Sequence, residues 1–374
     1  MITARALDRS HLWKQLRGRV FVFDGPLLLI VTMLMVLSCV TMYSSAIDFP
    51  GRLEGHMRNF AFALAVMWIV ANIKPQTLMR YAVPIYVIGV SLLVAVALFG
   101  DVRKGARRWL DIGPISIQPS ELLKIGLPLM LAWYFHKREA AINWTDFVVA
   151  TVLLAVPGLL ILRQPDLGTA GLVMVAGCAV IFFAGLNYKI IVALGAAGLA
   201  SLPVAWTLMH DYQRQRIMTL IDPTSDPLGK GFHIIQSTIA IGSGGVFGKG
   251  WLKGTQTHLE FIPERTTDFI FSVYSEEFGL IGNLLLLSVY FALLLRCLMI
   301  ASGAPTLFAR LMAGAITLIL FMYAFVNMGM VSGILPVVGV PLPLMSYGGT
   351  AMATLATGLG ILMSIQRNRK LVQT

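Results

Sequence analysis

The chain alternates between long apolar runs and short polar breaks, and ten of the runs can cross roughly 30 Å of hydrocarbon as helices. They fall at about 27 to 47, 57 to 73, 81 to 99, 119 to 135, 147 to 163, 168 to 185, 189 to 209, 268 to 297, 309 to 332 and 348 to 366. None shows the period-two alternation of a membrane strand, and in lipid every backbone group needs a partner within its own segment. The pattern therefore predicts an all-α fold: a polytopic membrane protein with ten transmembrane helices, forming one integral membrane domain over 1–374. Residues 1–26 and 367–374 are its short cytoplasmic ends. The break at 210–267 is a large extracytoplasmic, periplasmic loop ahead of the eighth helix. Phe232, Ile235 and Ile239 recur there at helical spacing, which predicts an ordered loop folded down onto the membrane surface.

Composition agrees. The chain is 57% hydrophobic and 13% charged, against roughly 25% charged for a soluble domain, and its mean hydropathy is +0.78. A soluble enzyme is excluded, and no nucleic-acid partner is expected. Lysine and arginine set the orientation. Arg5, Arg9, Lys14, Arg17 and Arg19 precede the first run, and Lys74, Arg80, Lys137, Arg138, Arg367, Arg369 and Lys370 fall on the same side. Both termini are thus expected in the cytoplasm. About 26 residues precede the first run, too long a leader for a signal peptide, so an uncleaved first helix is expected. Cys39, Cys178 and Cys297 lie in apolar runs without metal spacing and read as small core hydrophobes.

Against this background several charged groups stand out. Arg103, Lys104, Arg107 and Arg108 cluster in one short outer loop, opposing the topology signal; they suit either an anionic ligand or a solvated, headgroup-touching loop. Asp268 lies where the polar FIPERTTD meets the apolar FIFSVY, with Glu276 and Glu277 two turns further on. An acid at a membrane boundary is a functional candidate. The plainer reading makes Thr267 an N-cap and sets Asp268 on the helix dipole. In IQPSELLKIG, Pro119 opens the fourth run, Glu121 falls in the first turn and Lys124 one turn deeper on the same face. Dipole complementation accounts for Glu121. It does not account for Lys124, an ammonium that needs a partner or a wet cavity. RQPDLGTAG brings Arg163 and Asp166 close across a turn, as a local ion pair or as part of a shared polar cavity.

Two glycine-rich stretches complete the picture. GSGGVFGKGW, Gly242 to Trp251, fails as a phosphate loop because Ser243 and Gly250 break the pattern and no strand precedes it. Its glycines are expected to make tight turns in a loop packed on the bilayer. GILPVVGVPLPLMSYGGTA breaks any helix, so it is either a re-entrant cavity wall or an outer loop. Ser346 has no His or Asp spacing that would make it a nucleophile.

FIPERTTDFIFSVYSEEFG, RRWLDIGPISIQPSELLK, RQPDLGTA and LPLMSYGGT occur together across the apolar runs, and together they resemble the SEDS family (shape, elongation, division and sporulation) from Asp24 to about Arg369. FDGPLLLI, TTDFIF and the short carboxyl tail resemble its rod-elongation branch more than its division branch. The resemblance implies peptidoglycan glycosyltransfer on the outer face of the cytoplasmic membrane, polymerising lipid II. It implies Asp268 as the essential catalytic acid, with Trp109, Glu121 and Asp166 at the family's other site positions. The residues fit that chemistry: Asp268 is the candidate base for the acceptor hydroxyl, and Arg103, Lys104, Arg107, Arg108 and Lys124, with Arg265 in addition, are candidates to hold the pyrophosphate. No cofactor is required, and no metal ligand set is assigned. A divalent cation remains compatible, with Asp166, Glu264 or Glu277 as ligands. Expected partners are a class B penicillin-binding protein, other elongation-complex proteins and membrane lipids. The rival reading is a lipid II transporter (flippase), which intramembrane charges and broken helices also fit; a third is a scaffold for other wall enzymes.

Overall fold

A computed structural model describes residues 23–103, 106–112, 115–164, 166–209, 211–225, 230–259, 261–262 and 264–369. Lys104, most of 1–26 and the end of the tail lie outside the described residues. Each apolar run is helical: α1 Gly25–Ser45, α2 Arg52–Ala71, the short α3 Pro75–Arg80, α4 Ala82–Phe99, α5 Pro119–Lys137, α6 Trp144–Leu162 and α7 Leu167–Phe183. The seventh run is broken into α8 Tyr188–Ala200 and α9 Leu202–Leu208. The long polar break adds α10 Asp211–Ile221, α11 Lys230–Ser243 and the short α12 Thr255–His258, before α13 Ile270–Ser302, α14 Leu307–Val331 and α15 Gly349–Asn368. Six of these, α1, α4, α6, α13, α14 and α15, are long and apolar enough to cross a membrane.

Local chemistry sets the helix starts. Prolines occupy the first turns of α1, α3 and α5, where a missing N–H costs nothing. Asp24 caps α1 by accepting from the Leu27 N–H at 3.0 Å, and the Arg296 guanidinium of α13 grips the same carboxylate at 2.9 and 2.5 Å. Burial pushes the Asp24 carboxyl up, but the bonds from Arg296 and Leu27 outweigh it and hold the group below the usual carboxylate range.

Helix α14 is the hub of the bundle. It packs on α13, α7, α5 and α15, and α15 in turn packs along α2. In α14, 67% of the spanning window is buried, against 28% in α4, so α14 runs through the middle and α4 lies at the rim.

Two features depart from the sequence reading. The loop after α4 holds a small antiparallel sheet, β1 Asp101–Arg103, β2 Ala106–Ile112 and β3 Ile115–Ile117, in the order β1-β2-β3. Strands this short in a charged loop have no alternation from which to read them. The second is a break in α13 at Gly279, where φ is 63°. The glycine-rich loop supplies the missing partners. Lys249 N–H donates to Glu276 O and Gly250 N–H to Glu277 O, both at 3.0 Å; Leu280 N–H donates to Gly245 O at 2.9 Å and Ile281 N–H to Val246 O at 3.1 Å. The glycines do make turns, but close backbone approach is the stricter demand. A Cβ at Gly248 (φ +77°) would lie 2.0 Å from Glu277 O. Gly248→Ala should therefore force the loop off α13 and cost about 1 to 3 kcal/mol or more, read as a lower melting temperature of the detergent-purified protein. An unchanged melting temperature would show that this contact does not stabilise the fold.

Candidate active site

The turn from Glu264 to Phe269 delivers Asp268 just ahead of α13, whose N-cap is Phe269 rather than the expected Thr267. Thr267 instead donates its hydroxyl to Glu264, to the carbonyl at 3.1 Å and the carboxylate at 3.0 Å. The main chain at Asp268 is clamped from α14: Asn327, fully buried, donates through Nδ2 to Asp268 O at 2.8 Å and to Val340 O at 2.7 Å. This ties the Asp268 turn to the proline- and glycine-rich segment after α14. Gly339 is left-handed there (φ +74°), and a Cβ on it would stand 3.4 Å from Asp268 Oδ2.

Helix α5 builds the opposite side. Lys124 is only 3% exposed and donates to Glu121 Oε1 at 2.5 Å and to the Tyr323 hydroxyl of α14. Glu121 Oε2 accepts from the Thr354 hydroxyl of α15 at 3.0 Å. Three helices therefore hold one buried ion pair, which supplies the partner that an ammonium at this depth requires. Asp166 caps α7 by accepting from Thr169 N–H at 3.1 Å, and its ion partner is Arg108 of β2 at 3.6 Å, not the nearer-in-sequence Arg163. Arg108 also donates to Gln164 O at 3.4 Å.

These groups share one cavity of about 610 Å³. Asp268, Glu121, Lys124, Trp109, Arg108 and Asp166 line it, together with Gln118, His233, Glu264, Tyr323 and Tyr347. Val337, Val338, Gly339, Val340 and Pro341 form part of its surface, which settles the segment after α14 as a cavity wall. Acids and cations thus face a common volume from α5, the start of α7, β2 and the Asp268 turn, with the Tyr323 hydroxyl of α14 beside them.

Other candidates lie elsewhere. Arg265 does not line the cavity: it is 3% exposed, and its guanidinium donates to Ser45 O at 2.9 Å, to Thr257 O and to the Asp48 carboxylate while lying over the Phe49 ring. Its charge is committed to joining the C-terminal end of α1 to the loop. Arg107 is exposed and is not among the lining residues. Arg103 has its main chain in β1, its side chain is outside the described set, and Lys104 is outside it altogether. Glu276 and Glu277 are buried away from the cavity, bonded to the glycine-rich loop. Of the three suggested cation ligands, Asp166 and Glu264 line the cavity and Glu277 does not. Among the described residues no group of three His, Cys, Asp or Glu side chains is placed to hold a metal. Ser346 accepts from Leu342 N–H at 2.8 Å and serves the turn.

Sequence reasoning missed Tyr323, Asn327 and His233. The first two were findable, since a phenol and an amide at i and i+4 inside an apolar run carry the same signal that singled out Lys124. His233 belongs to α11, and only the fold brings it to Phe269, where the rings stack at 5.7 Å.

The chain resembles known proteins along nearly its whole length. The model of the cell cycle protein family of FtsW, RodA and SpoVE matches residues 20–371. The peptidoglycan glycosyltransferase MrdB of Escherichia coli is 51% identical over 350 residues, 93% of this chain and 95% of that protein. Stage V sporulation protein E of Bacillus subtilis is 36% identical over 357 residues, 92% of this chain and 97% of that one. Among solved structures, one on the structural coordination of polymerization and crosslinking by a peptidoglycan synthase complex superposes with a TM-score of 0.81 at 34% identity, covering 93% of this chain and 99% of the other. The crystal structure of the Thermus thermophilus rod shape determining protein RodA gives a TM-score of 0.71 at 30% identity, covering 93% and 98%.

Proposed function

The chain belongs to the cell cycle protein family of FtsW, RodA and SpoVE and is a peptidoglycan glycosyltransferase, and from that premise we propose that Asp268 is its catalytic base and the cavity around it the polymerising site. The single observation that supports this reading is the shared cavity, which Asp268 lines together with a buried cation, Lys124, and a second cation, Arg108. The acceptor sugar's 4-hydroxyl gives its proton to the Asp268 carboxylate as its oxygen bonds to the donor's anomeric carbon. The bond from that carbon to the pyrophosphate breaks, and the electron pair leaves on the lipid pyrophosphate. Lys124 and Arg108 stabilise the developing charge. One displacement inverts the anomeric centre. The leaving group is already activated, so no nucleotide is needed.

Glu121 aims Lys124, and Asp166 aims Arg108. Trp109 offers an aromatic face to a sugar. The substrate is lipid II, and the site opens on the periplasmic side of the cytoplasmic membrane. With ten passes, α8 and α9 sharing the seventh, both termini fall on one side and 210–267 on the other, and the lysine and arginine distribution favours the cytoplasm for the termini; a reporter after Thr374 that proved periplasmic would reverse this arrangement. The rod-elongation branch is favoured by 51% identity to MrdB, against 36% to a probable FtsW of Geobacter sulfurreducens. A class B penicillin-binding protein is the proposed partner. The test is purified protein given lipid II in detergent, where no sidedness exists. An enzyme lengthens glycan there; a transporter leaves lipid II unchanged.

Asn327 is the positioning residue of this site. Asn327→Leu strips the donor from two carbonyls, each costing about 1 to 3 kcal/mol when left buried and unpaired. Turnover on lipid II should fall more than KM rises, because the base is misplaced while the cation wall stays intact. Asn327→Asp, the same shape without the donors, should not restore it. Equal losses in kcat and in folded fraction would reduce Asn327 to a structural role.

A further inference from the structure

The segment from Gly244 to Leu252 is a part of the outer loop that does not line the cavity, and two ties fix its depth. Helix α1 has 21 residues. At 1.5 Å per residue it spans about 31 Å, the thickness of the hydrocarbon layer. At its inner end Asp24 is held by Arg296 of α13, and at its outer end Ser44 donates to Glu277 of α13. Residues 296 and 277 therefore mark the two boundaries on α13.

The loop passes inside the outer boundary. Gly245 and Val246 accept from Leu280 and Ile281, about one helical turn, or about 5 Å, on the hydrocarbon side of Glu277. On the α1 side, Trp251 donates its indole N–H to Val40 O at 3.1 Å, one turn below Ser44, and its ring meets Tyr43 at 5.5 Å. Both ends of the hairpin reach the same depth. Phe247, 81% exposed, lies beside Val246 at 52%, continuous with Leu280, Ile281 and Leu284 on the outer face of α13. None of these lines the cavity.

The two carboxylates that the chemistry leaves over hold this hairpin in place. Glu276 accepts from Lys249 Nζ at 2.7 Å, Gln256 N–H at 2.9 Å and the Thr257 hydroxyl at 3.0 Å, and Glu277 accepts from Leu252 N–H at 3.2 Å and from Ser44. Four backbone groups at the break in α13, the carbonyls of Glu276 and Glu277 and the N–H groups of Leu280 and Ile281, are bonded to this segment, and such pairing is the condition for irregular backbone to enter a bilayer.

We propose that Val246–Trp251 is a membrane-inserted hairpin whose exposed face contacts the hydrocarbon of the outer leaflet. Phe247 is the immersed residue. Trp251 sits at the interface with its N–H satisfied, as interfacial tryptophans do. Helix α11 runs directly into Gly244 and carries His233 to the cavity, so the hairpin holds that wall of the cavity at a fixed height above the lipid. This assignment does not depend on which reaction the cavity performs.

The test uses the full chain, with Cys39, Cys178 and Cys297 replaced by Ala, reconstituted in phosphatidylethanolamine–phosphatidylglycerol vesicles. Nitroxide labels are placed at Phe247→Cys, at Leu284→Cys as a lipid-facing reference and at Thr224→Cys as an aqueous one. Collision with oxygen relative to a water-soluble nickel chelate should be several-fold higher at 247 than at 224 and close to that at 284. Nickel collision at 247 equal to that at 224 would make the hairpin a water-facing loop. Exclusion of both reagents there would mean that protein, not lipid, covers it; either result overturns the proposal. Phe247→Asp should lower polymerisation in vesicles several-fold while Phe247→Leu retains it, and full activity of the Asp variant would remove the wall-holding role.

Discussion

Asp268→Asn abolishes polymerisation on this reading while the protein remains folded and inserted. The substitution keeps the size of the side chain and leaves the Asn327 clamp on the main chain untouched, so what is lost is the capacity to take a proton. General base catalysis contributes about 10² to 10⁴-fold, and turnover of lipid II by the purified variant should fall by that factor or below detection. The melting temperature and the elution profile should match wild type. Wild-type glycan synthesis by Asp268→Asn would sink its role as base. Loss of activity with a collapsed melting temperature would instead place Asp268 among the residues that hold the fold.

Lys124→Met should have the second largest effect, and it acts on two levels that can be separated. Lys124 is the cation between Glu121 and Tyr323 in the centre of the bundle. Removing one partner of a buried pair costs about 3 to 5 kcal/mol, because the remaining charge is stranded. The melting temperature should drop accordingly, and activity should fall with the loss of charge at the leaving group. Lys124→Met combined with Glu121→Gln leaves no stranded charge. The double variant should recover much of the stability and none of the activity. Recovery of both would mean that the pair serves only to hold α5 against α14 and α15, and the pyrophosphate would then have to be held by Arg108 and its neighbours.

The candidate site was legible in unequal measure. Asp268, Glu121 and Lys124 announced themselves because each is a charge that hydrocarbon penalises, and such a cost has to be met by something nearby. Arg265, in the polar stretch just before Asp268, was a candidate to hold the pyrophosphate and went elsewhere: Asp48 and the backbone of α1 and the loop satisfy it, and the distance along the chain gives no hint of that. Glu276 and Glu277 likewise looked like site acids, yet they bond the glycine-rich loop at Lys249 and the residues just after it. Arg163 is three residues from Asp166, but the strand β2 brings Arg108 to it instead. A charge in an apolar stretch says that a partner exists; it does not say which one.

The sequence by itself determined the helices, because helical periodicity and apolar length are local properties and lipid leaves the backbone no other way to satisfy itself. It also determined which residue types would be costly to bury. The tertiary structure alone decided which of those costs are met within the cavity and which by structural pairs. It also decided that the break at Gly279 is repaired by a loop arriving from another part of the chain. These outcomes rest on contacts between residues up to hundreds of positions apart, and such contacts depend on how the helices pack, which no local pattern encodes.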